Sequence, residues 1–318
     1  MKILYIYRDY KGRRKKYGEL MEGFGNKVKY VKIKHKKEKN QIPESCVNKK
    51  IDLVWFQNIF YIKNNPSLIN CIKSLGIPIC SYFTFNPQES YTEKKWMNVW
   101  KKIDYFFVQN KIFYDFLKKN NCNAYYMPLA FYPDQYYKTI NNKKYDISFC
   151  GTDLIRETKD VDKRARYIQS LQKYNIAVYG DGFKNKVEGI PVFSYKTHSK
   201  QRNVYGKTKI NLDLPFFCTP GEIYRKGNNR YHFKNRFFEV PATGNFLLTV
   251  RCPEFLDIFP EDVVGYYDDD IESLKENVKR YLKDEKLRNE MAKKAYKLVH
   301  QKHTYLHRFK EMFKIIKK

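Results

Sequence analysis

Apolar residues in this chain fall into short dense runs, and the stretches between them carry a longer, helical period. Met1–Tyr7, Ile51–Phe56, Pro78–Phe85 and Tyr105–Val108 are nearly all apolar, the pattern of strands buried on both faces. Lys27–Lys34 instead alternates lysine with Val, Tyr, Val and Ile, as a strand with one wet face does. Ala124–Met127 is a further short strand. Helices are expected over Glu19–Phe24, Pro66–Leu75 (closed by Gly76), Trp96–Ile103 and Lys111–Asn120. Polar loops over Asp9–Gly18 and Asn86–Glu89 follow two of the strands.

Ala130–Lys144 (AFYPDQYYKTINNKK) interrupts this rhythm with polar and turn residues. The alternation then restarts with a strand at Asp146–Cys150, a helix at Arg164–Tyr174, and strands at Ala177–Tyr179 and Lys209–Leu212. Val263–Tyr267, Ile271–Lys283 and a long helix from Lys286, broken near His303, close the pattern. Strands alternating with helices predict parallel sheets covered on both faces. The expected organisation is α/β with two Rossmann-like domains, residues 1–135 and 136–300, and a C-terminal helix over 301–318. No internal repeat is visible, and Cys218–Asn229 reads as a Gly/Asn-containing loop.

Charge changes the picture of partners, not of fold. The chain holds 62 basic and 34 acidic residues for a net +28, and a Lys-, Asn- and Tyr-rich bias alone does not suppress Asp and Glu. Residues 1–140 carry 26 basic and 11 acidic side chains, and the remainder 36 and 23, so the excess covers both halves. Its densest patch is Lys11, Arg13, Arg14, Lys15 and Lys16, followed by lysines at 27, 29, 32, 34, 36, 37 and 39. Such a run is ordinarily a solvated face, but one this dense points to an anionic partner, either a polyanionic acceptor or an anionic membrane surface. The seven cysteines (46, 71, 80, 122, 150, 218, 252) form no CxxC pair and no zinc spacing, which suits reduced thiols in a cytoplasm. The apolar run Ile3–Tyr7 is too short for a signal peptide, and no segment is long enough to span a membrane. A cytoplasmic protein is expected (in a host cytoplasm if viral), with peripheral attachment at the inner membrane face as the alternative.

Lys234–Val250 (KNRFFEVPATGNFLLTV) carries the strongest chemical signal. Arg236 and Glu239 stand three residues apart and share a helix face. Phe237, Phe238 and Val240 bury the rest of the turn, Pro241 shortens the helix, Gly244 is an αL stop, and Asn245–Val250 is a core strand. On spacing alone, a helix with one local ion pair is the better reading of Arg236 and Glu239, since short motifs match by chance. The stretch, however, resembles the nucleotide-sugar signature R-x-F-E-x-x-A-x-G-x-F-L-L-T of the spore-maturation (CgeB-like) group of GT-B glycosyltransferases. Arg236, Phe238, Glu239, Ala242, Gly244, Phe246, Leu247, Leu248 and Thr249 match it in order. Tyr145–Thr152 (YDISFCGT), Ile176–Gly182 (IAVYGDG), Lys209–Leu212 (KINL) and His303–Arg308 (HTYLHR) resemble the family's neighbouring blocks. The likeness runs from about Asp104 onward, while the first hundred residues match in pattern only.

The resemblance implies a GT-B enzyme with two doubly wound domains facing a central cleft and a C-terminal helix crossing back. It assigns the donor diphosphate to Gly151, Thr152, Arg236 and Arg164, whose forked guanidinium groups suit phosphate oxygens. Gly180 and Gly244 lie in the same donor-side blocks, and Glu239 is expected on the ribose diol. A partner Glu that many relatives carry eight positions earlier is Tyr231 here, which leaves donor sugar and stereochemistry open. No metal motif precedes the signature, and Asp268–Asp270 reads as a helix cap. The expected co-substrate is therefore a nucleotide sugar, UDP-sugar favoured, with no essential cofactor or metal. Asp9 and Glu89, in loops after strands, are candidate catalytic bases for an inverting reaction, although each suits an ordinary loop carboxylate as well. His303 and Arg308 are expected to pin the C-terminal helix.

For the acceptor, hydroxymethylated bases in phage-type DNA stand slightly ahead. Lys11, Arg13, Arg14, Lys15 and Lys16 would contact phosphates, and Tyr82, Phe83, Phe85, Tyr91, Trp96 and Trp100 would supply wedges for base flipping. Envelope glycans, lipid-linked sugars or surface proteins at an anionic membrane are the alternative. A nucleic-acid-binding protein on a dead transferase scaffold is the non-enzymatic one, which the intact Arg236 and Glu239 disfavour.

Overall fold

In the computed structural model, residues 1–7, 15–33, 47–48, 50–57, 66–84, 94–139, 142–152, 162–194, 197–214 and 233–318 are described. Two units form. One takes the described residues up to Pro128 together with Leu306–Lys318, and the other those from Leu129 to Tyr305. The division falls before the boundary expected after residue 135, and the last helix belongs to the first unit.

Six parallel strands build the first unit: β1 (Lys2–Tyr7), β2 (Lys27–Lys32), β3 (Leu53–Phe56), β4 (Ile79–Phe83), β5 (Tyr105–Val108) and β6 (Ala124–Tyr126), in the order β2-β1-β3-β4-β5-β6. The apolar runs of β1, β3 and β4 are buried on both faces because helices cover both. On one face Leu4, Ile6, Val54, Phe56, Phe106 and Val108 form a core with Trp96, Trp100, Phe113 and Leu117. Those four come from α3 (Lys94–Trp100) and α4 (Lys111–Lys119), and α2 (Pro66–Ser74) packs beside them. On the other face Trp55 stacks on Phe107 and on Phe309 of the last helix, α11 (Tyr305–Ile316). Edge strand β2 exposes Lys27, Lys29 and Lys32, a charged border that discourages edge-to-edge pairing.

The helix expected over Glu19–Phe24 begins earlier, as α1 (Lys15–Gly23). It packs closely enough that a Cβ on Gly18 would stand 2.3 Å from the Tyr30 ring. Its glycine and paired lysines blurred the helical period in the sequence.

The second unit is also a six-stranded parallel sheet: β7 (Tyr145–Cys150), β8 (Ile176–Tyr179), β9 (Val192–Phe193), β10 (Thr208–Leu212), β11 (Leu247–Val250) and β12 (Gly265–Tyr267), in the order β12-β11-β10-β7-β8-β9. Its helices are α5 (Lys163–Gln169), α6 (His198–Gly206), α7 (Arg236–Ala242), α8 (Pro253–Leu256), α9 (Ile271–Lys283) and α10 (Glu285–Lys302). β9, α6 and α8 were not expected. α6 has little apolar period to read, since its buried side includes Gln201 beside Val204 and Tyr205. Gly244, at φ +74°, ends α7 as expected.

His303–Arg308 does pin the last helix. Thr304 bridges Phe131, Tyr305 N–H donates to Phe131 O at 3.0 Å, and Arg308 Nε donates to Pro128 O at 2.9 Å. Among the described residues, no helix is long and apolar enough to cross a membrane.

Candidate functional site

The order of the second sheet reverses between β7 and β10. In doubly wound sheets the crevice at such a reversal, beyond the carboxyl ends of the strands, is where ligands bind. Gly151 and Thr152 follow β7, and Asp213 follows β10. Arg164 comes in on α5, between β7 and β8, and Arg236 opens α7, between β10 and β11.

These residues meet. Arg236 Nη1 lies 3.1 Å from Asp213 Oδ1, with side chains 10% and 4% exposed. Thr249 Oγ1 donates to Asp213 Oδ2 at 3.3 Å, and the Tyr267 hydroxyl donates to the Asp213 carbonyl at 3.1 Å. Phe149 underlies both cations, its ring centre 4.7 Å from the Arg236 guanidinium and 5.7 Å from that of Arg164, which adds cation–π attraction. Arg164 Nη1 donates to Thr152 O at 2.5 Å and Nη2 to Leu214 O at 3.5 Å, tying the two strand ends together.

The glycines are required by space. A Cβ on Gly151 would stand 2.7 Å from Arg236 Nη2, and one on Gly180 would stand 1.6 Å from Gly151 O. Gly180 also has φ +154°, where a side chain is strained. The backbone at these strand ends therefore packs directly against Arg236, Phe149 and the Gly151 carbonyl, with no room for a side chain.

Electrostatics follow the burial. The Asp213 carboxyl is raised above the usual range, first by desolvation, while Arg236, Arg164, Lys234 and the Thr249 hydrogen bond pull it back. The Cys150 thiol, beneath the turn, is pushed up to about 12 by burial, lowered by Arg236 and raised by Glu239. Glu239, one turn after Arg236 on α7, is buried. It also raises the Tyr205 hydroxyl, which burial has already moved well up. Its carboxylate thus acts on the end of β7 and on α6 together. Tyr205 closes a buried chain: the Tyr136 hydroxyl meets His198 Nδ1 at 2.6 Å and donates to Gln201 Oε1 at 2.9 Å, and Gln201 Nε2 donates to Tyr205 at 2.6 Å.

Gly151, Thr152, Gly180, Arg164 and Arg236 come together at this edge. Gly244 does not. It precedes β11 at the amino end of the strand, the opposite edge of the sheet, and its role is to end a helix. The acidic run also divides, because only Asp270 caps α9, accepting from Ser273 N–H at 2.7 Å. Asp269 instead takes Lys163 Nζ at 2.6 Å and the Tyr167 hydroxyl at 3.1 Å, anchoring the helix that carries Arg164.

Asp9, Glu89, Lys11, Arg13 and Arg14 lie outside the described residues, as do Phe85, Tyr91, Tyr231 and the loop Cys218–Asn229. Lys15 pairs with Glu19 at 3.4 Å on the surface of α1, and Lys16 follows it on the same helix. Tyr82, Phe83, Trp96 and Trp100 are core residues, none more than 3% exposed, so they are not base wedges. Among the described residues no three of His, Cys, Asp or Glu gather as metal ligands.

Asp213 was missed. A lone aspartate in NLDLP has no partner nearby in sequence, and its one signal is a charge set between leucines directly after an apolar strand.

No curated protein matches the sequence. Solved structures do match in fold. Sucrose-phosphate synthase from Thermosynechococcus elongatus is 10% identical at a TM-score of 0.69, over 100% of this chain and 98% of its own. Anabaena Alr3699/HepE, solved in complex with UDP-glucose, is 8% identical at 0.66, over 100% and 99%. A UDP-forming α,α-trehalose-phosphate synthase from Burkholderia xenovorans is 9% identical at 0.65, over 98% of both chains. The shared architecture is GT-B. The family model described as glycosyl transferase-like matches residues 156–314, half of the chain and most of the unit that holds the site. The chain therefore belongs to the glycosyl transferase-like family and is a glycosyltransferase.

Proposed function

We propose that the protein transfers a sugar from a UDP-sugar to a polyanionic acceptor. The observation that carries the donor half is the pair of arginines, Arg164 buried and Arg236 nearly so, beside a glycine turn at the reversal of the second sheet. Arg236 and Arg164 take the diphosphate beside the Gly151–Thr152 turn, and Glu239 accepts hydrogen bonds from the ribose diol. Fixed cations there stabilise the charge that grows on the leaving nucleoside diphosphate. UDP is favoured because HepE was solved with UDP-glucose. The finer likeness to the spore-maturation group rests on the signature residues from Arg236 to Thr249.

The acceptor half rests on the net charge of +28, with hydroxymethylated DNA as the first choice. Burial of Tyr82, Phe83, Trp96 and Trp100 removes four of the wedges that base flipping would use, and this favours an envelope glycan or lipid-linked acceptor as the second reading. A thermal-shift series with UDP-, GDP- and ADP-sugars tests the donor. A ligand at a hundred times its dissociation constant adds about 2.7 kcal/mol, and silence from all three removes the donor assignment. Labelled donor is then offered to hydroxymethylated DNA, plain DNA and anionic vesicles bearing envelope acceptors. Transfer that requires the hydroxymethyl group supports the DNA reading, whereas transfer only to the vesicles overturns it.

A further inference from the structure

A carboxylate in a site built for a diphosphate is out of place by charge alone. Asp213 is 3% exposed and stands at the carboxyl end of β10, beside the strand that leads into the Gly151–Thr152 turn. Its Oδ1 lies 3.1 Å from Arg236 Nη1, while the space a Cβ on Gly151 would fill is 2.7 Å from Arg236 Nη2. One edge of the guanidinium is thus taken by Asp213 and the other faces the glycine turn. A guanidinium satisfied by a carboxylate can take a phosphate in its place, since both offer paired oxygens to the same fork.

Resting on the donor assignment above, we infer that Asp213 is the resident counter-anion of Arg236. The donor's diphosphate replaces it there, and the Asp213 carboxyl takes up a proton from solvent as the donor binds. The exchange balances. The Arg236–Asp213 contact loosens, an Arg236–phosphate contact forms, and one proton passes from buffer to the carboxylate, which stays in place hydrogen-bonded to Thr249. The physical reason is that two anions cannot share this buried space cheaply, and neutralising the carboxylate is the route open to a group that cannot move to water.

The described groups that act on Asp213 bear on the exchange. Arg236 on α7, Arg164 on α5 and Lys234 just before α7 favour its ionised form, against the desolvation that raises it. The Thr249 hydroxyl on β11 also favours the charged form, and Tyr267 on β12 holds the Asp213 backbone carbonyl. Glu239 and Arg236 both act on the neighbouring Cys150 thiol, in opposite directions. A diphosphate occupying Arg236 takes away the cation that most favours the charged Asp213 carboxylate.

The test is titration calorimetry of the whole protein with UDP-glucose in two buffers of different ionisation enthalpy. A diphosphate esterified at both ends has no group of its own titrating near neutrality, so any proton taken up belongs to the protein. Wild type is expected to take up between about half a proton and one per donor bound. Its affinity is expected to rise as pH falls, by as much as about tenfold per unit. Asp213→Asn keeps the size and the Thr249 contact and is expected to bind UDP-glucose with no uptake and a flat pH profile. Wild-type binding with less than about 0.2 proton taken up overturns the exchange while leaving the donor assignment standing, and equal uptake by the Asn variant overturns the role of Asp213. Absence of UDP-glucose binding at every pH overturns both. Should the variant not fold, the wild-type proton count alone decides.

Discussion

The two sheets have six parallel strands each and differ at their carboxyl edges. In the first unit, the buried polar groups after β3 and β5 are neutral amides, Gln57, Gln109 and Asn110. Gln109 Nε2 donates to Thr84 O at 2.8 Å and Asn110 caps α4. In the second unit, the corresponding edge buries Arg164, Asp213 and Glu239, and among the described residues the buried Asp and Glu side chains all lie there. A hydrogen-bonded amide is inexpensive to bury, whereas a charge costs several kcal/mol unless it is paired. The other buried charges among the described residues, Arg288 and Arg308, donate to backbone carbonyls instead.

The sharpest way to break this contrast is to remove one charge. Arg236→Ala leaves Asp213 buried without its main partner and is expected to cost about 4 kcal/mol. UDP-glucose affinity should fall with it. Urea unfolding together with a donor titration of the folded fraction measures both. Destabilisation with donor affinity intact would make the pair purely structural.

A matched loss in the first unit comes from Trp100→Ala. Trp100 is fully buried and stacks on Trp96 and Phe106. Its removal should cost about 3–4 kcal/mol and leave the donor dissociation constant unchanged. A shift in that constant would show that the aromatic core also supports the donor edge. Gly180→Ala should cost about 3 kcal/mol, combining an unfavourable backbone conformation with a clash against Gly151 O. Unlike Trp100→Ala, it should impair donor binding.

The pH dependence of stability sharpens the contrast further. Asp213 is raised in the folded state, so it is protonated there over a range in which the unfolded chain is ionised. The folded state binds more protons across that window. Stability from this group is therefore greatest toward acid and declines as pH rises through the folded value, at no more than about 1.4 kcal/mol per unit. Asp213→Asn should remove that slope, as denaturation midpoints between pH 4 and 8 would reveal. The smallest effect is expected at Lys15. Its exposed pair with Glu19 should be worth less than about 0.5 kcal/mol, and a change above 1 kcal/mol in Lys15→Gln would mean that α1 depends on charge.

Much of the fold was legible because buried parallel strands announce themselves. β5 and α9 have the bounds expected of them, and β1, β4, β7 and β10 differ by a residue or two. α6 was not legible, since it buries a glutamine where an apolar residue would have marked its face. In the candidate site, Arg236, Glu239, Arg164 and Gly180 could all be named through the family resemblance, since spacing alone favours a local ion pair for the first two. Asp213 could not, because its partners Arg236, Thr249 and Tyr267 are distant in sequence and meet it only through the sheet. Gly244, named with the donor-side residues, stands at the opposite edge of the sheet, because adjacency in the signature does not distinguish the two ends of a strand.

The last helix has a consequence for the order in which this chain becomes a protein. α11 covers Trp55 and packs Phe309 against Tyr17, yet it is made after every strand of the second sheet. On the ribosome, the first half emerges with one aromatic face uncovered and must wait for the whole second half before the closing piece arrives. A chain stalled anywhere before residue 306 presents that face to its surroundings, the kind of transient apolar surface that chaperones recognise and that aggregates when they do not.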